Sequence, residues 1–191
     1  MPHQRHWTRH DLERIACDAM RERGLEPDFP TAALQETAAL APVPQHALPG
    51  VADWRALPWC STDNDDSLDL DQLTCSEPLA HGAVRIRVAV ADVDALVPQG
   101  KATDAHARHN TTSVYTSARV FPMLPERLST DLTSLNFQQD RLALVTTMVI
   151  SADGEVTQPH VQRAWVRNQA KLAYDAVSAW IVGEGELPAA A

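Results

Sequence analysis

The segment "STDNDDSLDLDQL", residues 61–73, places five aspartates between Asp63 and Asp71. Hydrophobic sequence flanks it, "RALPWC" before and, after a short polar turn, "VRIRVAVADV". Ionised carboxylates repel one another when packed together, and burying them is expensive. A chain of this kind must therefore hold a concentrated negative charge at the edge of a core.

Three arrangements accommodate that charge. The first is a solvated acidic loop, because Asp and Asn suit turns by bonding nearby backbone groups. The second is an EF-hand calcium loop. Asp63, Asp65, Ser67, Asp69 and Asp71 fall at its alternate ligand positions, but Leu68 stands at the glycine position and Thr74 at the closing glutamate position. "ALPWC" also reads as strand where that motif requires a helix. The third is a Mg²⁺ site for phosphoryl chemistry, which needs a few carboxylates converging from a rigid frame. In an extended segment Asp69 and Asp71 share a face while Leu70 points into the core. A loop over residues 64–68 brings Asp63 back towards them, and bound ions offset the mutual repulsion.

The rest of the chain reads as α+β, an antiparallel sheet with helices on one side, preceded by a small helical segment. Residues 8–23 form a helix with Thr8 and Asp11 as a capping box, an apolar stripe of Leu12, Ile15, Ala16, Ala19 and Met20, and Gly24 at its end. A second helix runs from a Thr31 cap to about Ala41. This pair admits a helix-turn-helix or a plain packing element. "APVPQHALPG" (41–50) is a linker, so the division is 1–50 and 51–191. "AVRIRVAVADV" (83–93) reads as a central strand, "GKATDAHARH" (100–109) as helix and "TSVYT" as a short extended piece. "RLALVTTMVIS" (141–151) and "VTQPHVQRAWVRN" make a hairpin through Asp153–Gly154, with Pro159 at an edge or bulge, and "AYDAVSAWIVG" (173–183) starts a last helix.

The totals exclude some classes. No apolar run approaches the roughly 20 residues of a membrane span, and "MPHQRHWTRHDLERI" has no apolar signal core. Cys17, Cys60 and Cys75 form no CxxC pair, so a reduced, cytoplasmic protein with neither disulfide framework nor structural zinc is expected. The net charge of −9 argues only weakly against nucleic acid, since a local basic groove or a metal can dominate a site.

The acidic segment resembles the signature of the ribonuclease II / ribonuclease R family, the RNB catalytic domain, of the form T-I-D-x-x-x-[SA]-x-D-[LFIM]-D-[DQ]-A. The resemblance continues in order through "ADV", "SVY", "PMLPERLSTDLTSLNFQQDRLAL", "DGEV" and "WVRNQAKLAYDAV", over residues 57–182. It implies processive 3′→5′ hydrolysis of single-stranded RNA to nucleoside 5′-monophosphates, with Mg²⁺ (or Mn²⁺) held by the acidic cluster. By that resemblance Asp63, Asp69, Asp71 and Gln72 occupy the metal positions, and Asp69 and Asp71 the catalytic ones, Asp71 being the residue most needed for chemistry. Asp65 and Asp66 fall on variable positions and read as solvated loop. Tyr115 matches a tyrosine that stacks on terminal bases, and Arg119, Arg141 and Arg167 are candidate phosphate contacts. Tyr174 is read as packing, and the histidines, which match no family site, as mostly surface.

Two departures stand out. Gln72 replaces a fourth aspartate, offering an uncharged carbonyl oxygen. The family's domain also continues past this chain into an arginine-rich block and a glutamate near the scissile phosphate. The expectation is therefore an N-terminal portion of a longer exoribonuclease, inactive by itself. The alternative is a non-catalytic RNA-binding or regulatory module.

Overall fold

The computed structural model describes residues 7–44 and 48–188. In chain order, helices α1 (Arg9–Glu22) and α2 (Thr31–Ala38) precede strands β1 (Ala52–Asp53), β2 (Cys60–Asp63), β3 (Gln72–Pro78) and β4 (Val84–Ala91). Helix α3 (Ala102–Asn110) and the short strands β5 (Val114–Tyr115) and β6 (Val120–Phe121) follow. Strands β7 (Asp140–Ile150), β8 (Val156–Arg167) and β9 (Ala170–Ala173) and helix α4 (Tyr174–Ile181) complete the order. Among the described residues no helix is long and apolar enough to cross a membrane.

These elements form two compact units. One contains the residues up to Leu40 with Val97–Arg127; the other contains Ala41–Leu96 with the chain from Leu128 onward. In the first, α1 begins as its sequence dictates: Thr8 accepts from the Asp11 amide and the Asp11 carboxylate accepts from the Thr8 amide, closing the capping box. It ends in a Schellman turn, with Leu25 N–H on Met20 O, Gly24 N–H on Arg21 O, both at 2.9 Å, and Gly24 at φ +77°. Only Met20 of the expected stripe is buried; Leu12 and Ile15 remain exposed. Helix α2 departs from expectation. Its N-cap is Pro30, no side chain caps it, and Thr31 lies inside the first turn. Residues 23–30 separate the helices, a longer connection than the three- to four-residue turn of a helix-turn-helix.

This unit also contains a buried histidine. His106, 3% exposed, meets Glu26 Oε2 at 3.0 Å through Nδ1 and Asn110 Nδ2 at 3.2 Å through Nε2, and packs on Phe29. The surface reading fails there because a fixed acceptor and an aromatic partner from the α1–α2 connection enclose the ring. It holds for His10, His81, His109 and His160, which are exposed, while His3, His6 and His46 lie outside the described residues.

The second unit is a seven-stranded sheet in the order β1-β8-β7-β4-β3-β2-β9. Neighbours are antiparallel except β1 with β8 and β2 with β9, which are parallel. Strand β4 is central in this order, but Val90 on it is 48% exposed. One face of the sheet carries the core: Leu73, Cys75, Ala89, Ala143, Val145, Ala164 and Val166, joined by Trp59, Leu70 and Leu135. The alanines on three adjacent strands leave room for the Trp59 indole. Residues 56–59 are not strand as expected: the chain turns at Arg55–Ala56 and runs irregularly to Trp59, whose indole donates from Nε1 to Trp54 O at 2.8 Å. At Pro159 the β7–β8 register shifts, between Thr147 and Val149, and Gln158 takes φ +52°, an irregularity of the bulge kind that the proline suggests.

Charged groups lock β1 to the β7–β8 pair. Arg55 donates to Asp53 at 2.8 and 2.6 Å and to Asp140 at 2.9 Å, and Arg167 Nε reaches Asp140 at 2.5 Å. The Arg55 bonds hold the Asp53 carboxyl down at about 2, against an ordinary 3.8. A depressed folded-state value means that this contribution is complete above the unfolded value and disappears as pH falls through the folded one. Acid titration of stability is therefore expected to show a loss between about pH 4 and pH 2, and Asp53→Asn to flatten that limb in urea unfolding curves taken across the range.

Candidate active site

The acidic segment leaves the sheet at Asp63, the last residue of β2, and returns at Gln72, the first of β3. Five bonds to the protein frame fix the loop between them. Lys171 Nζ on β9 donates to Asp65 O at 3.1 Å and Ser67 O at 2.9 Å. Ser134 Oγ donates to Leu68 O at 2.8 Å and accepts from Leu70 N–H at 3.0 Å. Leu135 N–H bonds Leu70 O at 2.7 Å. Leu70 is thus driven into the core, 3% exposed, as its place between two aspartates predicts. Next to it, Asp71 O accepts from Ala91 N–H at 2.9 Å, which fixes the backbone where β3 starts.

A polar cavity of about 290 Å³ opens at this point, with Asp63, Asp71, Gln72 and Tyr174 among its walls and Ser61, Thr62 and Thr74 also in its lining. The structure therefore brings together three of the four expected metal positions. Asp69 is exposed and does not line the cavity. Asp65 and Asp66 are exposed, as the solvated-loop reading has them. The Asp63 carboxylate accepts from the Asn64 amide at 2.7 Å.

Tyr174 is the residue that sequence reasoning missed. It is 52% exposed and faces the cavity instead of packing. The parallel β2–β9 register opposes Asp63 to Ala173, so the next residue, the first of α4, arrives beside Asp63. Lys171 was also missed. Nothing local marks either residue, because their position depends on pairing across more than a hundred residues.

The cavity wall is braced from below by Asn168, 1% exposed. Its Nδ2 donates to Ser61 Oγ and Leu135 O, both at 3.0 Å, and its Oδ1 accepts from Ala170 N–H at 3.2 Å. Asn168→Ala orphans those buried groups and is expected to cost about 1–3 kcal/mol in denaturant unfolding.

Among the described residues no three His, Cys, Asp or Glu side chains form a metal-holding group. That does not exclude Mg²⁺, which binds through one or two carboxylates, keeps several waters and completes its shell with substrate phosphate. Two carboxylates and an amide oxygen in a polar cavity are hard donors of the kind it takes, so the residues present fit the ion.

The other expected RNA-contact residues are placed as follows. Tyr115 is 66% exposed on the β5–β6 hairpin, in the first unit. Arg119, also there, bonds Pro27 O at 3.2 Å and Asp28 at 3.1 Å and lies 4.7 Å over the Phe121 ring. Arg141 donates to Ser134 O and Asp131 O, both at 3.0 Å, and to Gln139; burial lowers its guanidinium from the ordinary value. Arg167 is bonded to Asp140, which raises its value. All three arginines therefore brace the fold with part of their donor sets.

Comparison with known proteins decides the family. The RNB domain matches residues 51–191. This chain belongs to the RNB family. It is 37% identical over 169 residues to ribonuclease R of Escherichia coli strain K12, covering 88% of this chain and 20% of that protein. It is 35% identical over 135 residues to exoribonuclease 2 of Edwardsiella piscicida, covering 70% of this chain and 21% of the other. Its structure resembles Mycoplasma genitalium RNase R solved in complex with double-stranded RNA, with TM-score 0.82, 28% identity, and coverage of 91% of this chain and 31% of that one. The chain thus spans about a fifth of the length of these two curated relatives. Both of these curated relatives are named as ribonucleases.

Proposed function

We propose that the cavity of Asp63, Asp71, Gln72 and Tyr174 is the hydrolytic centre of a 3′→5′ exoribonuclease that shortens single-stranded RNA processively to nucleoside 5′-monophosphates. The observation that supports this most is that two signature aspartates, Asp63 at the end of β2 and Asp71 just before β3, line one braced polar cavity in an RNB domain. Mg²⁺, with Mn²⁺ as a substitute, would be held by Asp63, Asp71 and the Gln72 amide oxygen. When bound it supplies positive charge to phosphate oxygens and acidifies water. The chain's own contribution is positioning. Asp71 is the leading candidate for the chemical step, its backbone fixed by Ala91. Asp69, assigned a metal and catalytic role by the signature, is expected to act from outside the cavity wall, and its contribution is the smaller. The Tyr174 ring offers the terminal nucleotide a flat apolar face, and the exposed Tyr115 keeps the base-stacking role that the family resemblance gives it; stacking of this kind tolerates any base. Arg119, Arg141 and Arg167 can add phosphate contacts only with donors their internal bonds leave over. A reducing, cytoplasmic setting, in which cysteines stay unpaired, is part of this reading.

The test is release of 5′-monophosphates from 5′-labelled single-stranded RNA, with Mg²⁺ or EDTA, by this chain and by its longest natural form, with a duplex substrate alongside. Metal-dependent, stepwise shortening supports the proposal; its absence from the long form rejects it. Tyr115→Ala is expected to leave a longer limit product, and an unchanged ladder on oligoadenylate counts against the stacking role. Gln72 favours the second reading, a non-catalytic RNA-binding module, because it removes one negative charge from the cavity wall. That reading requires both forms to bind RNA and neither to shorten it.

A further inference from the structure

The first compact unit contains a second cavity, of whose lining the hydrolytic reading uses only Arg119. It measures about 650 Å³, within the range of about 300–1,000 Å³ usual for small-molecule sites. Three stretches of chain distant in sequence build it: α1, α2 with the turn before it, and the segment 118–127 around β6.

Three arginines stand around it, each held by a backbone carbonyl. Arg9 Nη2 bonds Ala118 O at 3.3 Å, Arg119 Nη2 bonds Pro27 O at 3.2 Å, and Arg127 Nη2 bonds Leu40 O at 2.7 Å. A guanidinium has five donors in a fixed fork, so these bonds orient the groups and leave N–H to offer. The wall between them is apolar: Phe29, Leu34, Val120 and Pro122, with Leu34 48% and Val120 47% exposed. Two carboxylates share the lining, Glu13, which pairs with Arg9 at 3.2 Å, and Glu126. Asp28, just outside the lining, pairs with Arg119 at 3.1 Å, so the cavity is close to neutral in a chain whose total is −9.

Oriented guanidinium forks beside a base-sized apolar wall match a ligand with an anionic end and a flat apolar body. We propose that this cavity is a nucleotide site, taking the phosphate on the arginines and the base against Leu34, Val120 and Pro122. The nucleotide is either a segment of an RNA strand or a free nucleoside monophosphate. The inference rests on the ribonuclease reading for its choice of nucleotide over acidic peptide, but it does not require the acidic cavity to be active.

The test is a binding experiment on the whole chain, without hydrolysis. A short oligoadenylate and AMP are titrated separately, with amide chemical shifts recorded and affinity measured against salt. Shifts at Leu34, Ala118 and Val120 are expected, and they persist in Asp71→Asn. The double variant Arg9→Glu, Arg127→Glu is expected to weaken oligoadenylate about tenfold or more and to flatten the salt slope by about 1.4, at roughly 0.7 for each single-strand phosphate contact. Arg14→Glu, on α1 but outside the cavity lining, controls for general charge and is expected to have little effect. Oligoadenylate shifting these residues without AMP doing so indicates a strand site, and AMP doing so at least as well indicates a free-nucleotide site. Leu34→Ser, which keeps every charge, is expected to weaken binding with an unchanged salt slope. The proposal is overturned by no binding, by shifts confined to the surroundings of Asp63 and Tyr174, or by affinity and slope unchanged in the charge-reversed variant. The second of these leaves the hydrolytic reading standing. An acidic peptide shifting Leu34 and Val120 where nucleotides do not also overturns it, in favour of a protein partner.

Discussion

Asp71→Asn in the longest natural form is expected to lower RNA hydrolysis by at least about a hundredfold, the scale on which one lost electrostatic contact to a transition state acts. RNA binding is expected to survive. The substitution keeps the side chain's size, and the backbone at Asp71 is held by the Ala91 amide, so the cavity retains its shape. What disappears is one of the two carboxylate charges lining it. Asp65→Asn and Asp66→Asn, on the exposed loop tip, are expected to change little and serve as controls for total charge. Single-turnover rates on labelled RNA, with affinity measured separately, distinguish the outcomes. Full activity in Asp71→Asn removes the residue from the chemistry.

The largest stability effect is expected at Trp59. Its side chain has no exposed surface, its Nε1 bonds Trp54 O at 2.8 Å, and its backbone O accepts from Gln169 N–H at 2.8 Å. Trp59→Ala opens a cavity in the middle of the core and is expected to cost about 3–5 kcal/mol. Trp180→Ala, at a 47% exposed position on α4, is expected to stay within about 0.5 kcal/mol. Urea unfolding followed by circular dichroism measures both. The Trp59 change should also reduce activity beyond its effect on the folded fraction, because Trp59 immediately precedes the strand that ends in Asp63.

Legibility in the sequence followed the range of the interactions. The α1 capping box, the Asp153–Gly154 turn and the inward Leu70 are local, and each is where residue order places it. The α2 start was misread because Thr31 carries a capping side chain, whereas the extended backbone of Pro30 takes the N-cap position without one. "ALPWC" looked like strand because an apolar run does not say whether its largest residue is buried by a strand or by a turn. The acidic segment's residue types and spacing left three arrangements open, and its three signature aspartates are not equivalent in space. Tyr174 and Lys171 reach the site only through the parallel pairing of β2 with β9. The division of the chain into two units, with Val97–Arg127 joined to the N-terminal helices, is likewise a product of tertiary contact.

The most direct test of the account asks where a divalent ion binds. Mn²⁺ added in small amounts to the isotopically labelled chain broadens the resonances nearest to it. The expected result is broadening centred on the amides of Asp63, Asp71 and Gln72 and on the Tyr174 ring, reversed by excess Mg²⁺. Broadening centred on Asp65 and Asp66, or none at the cavity wall at any Mn²⁺ concentration, would contradict the assignment of this cavity as the metal-assisted centre.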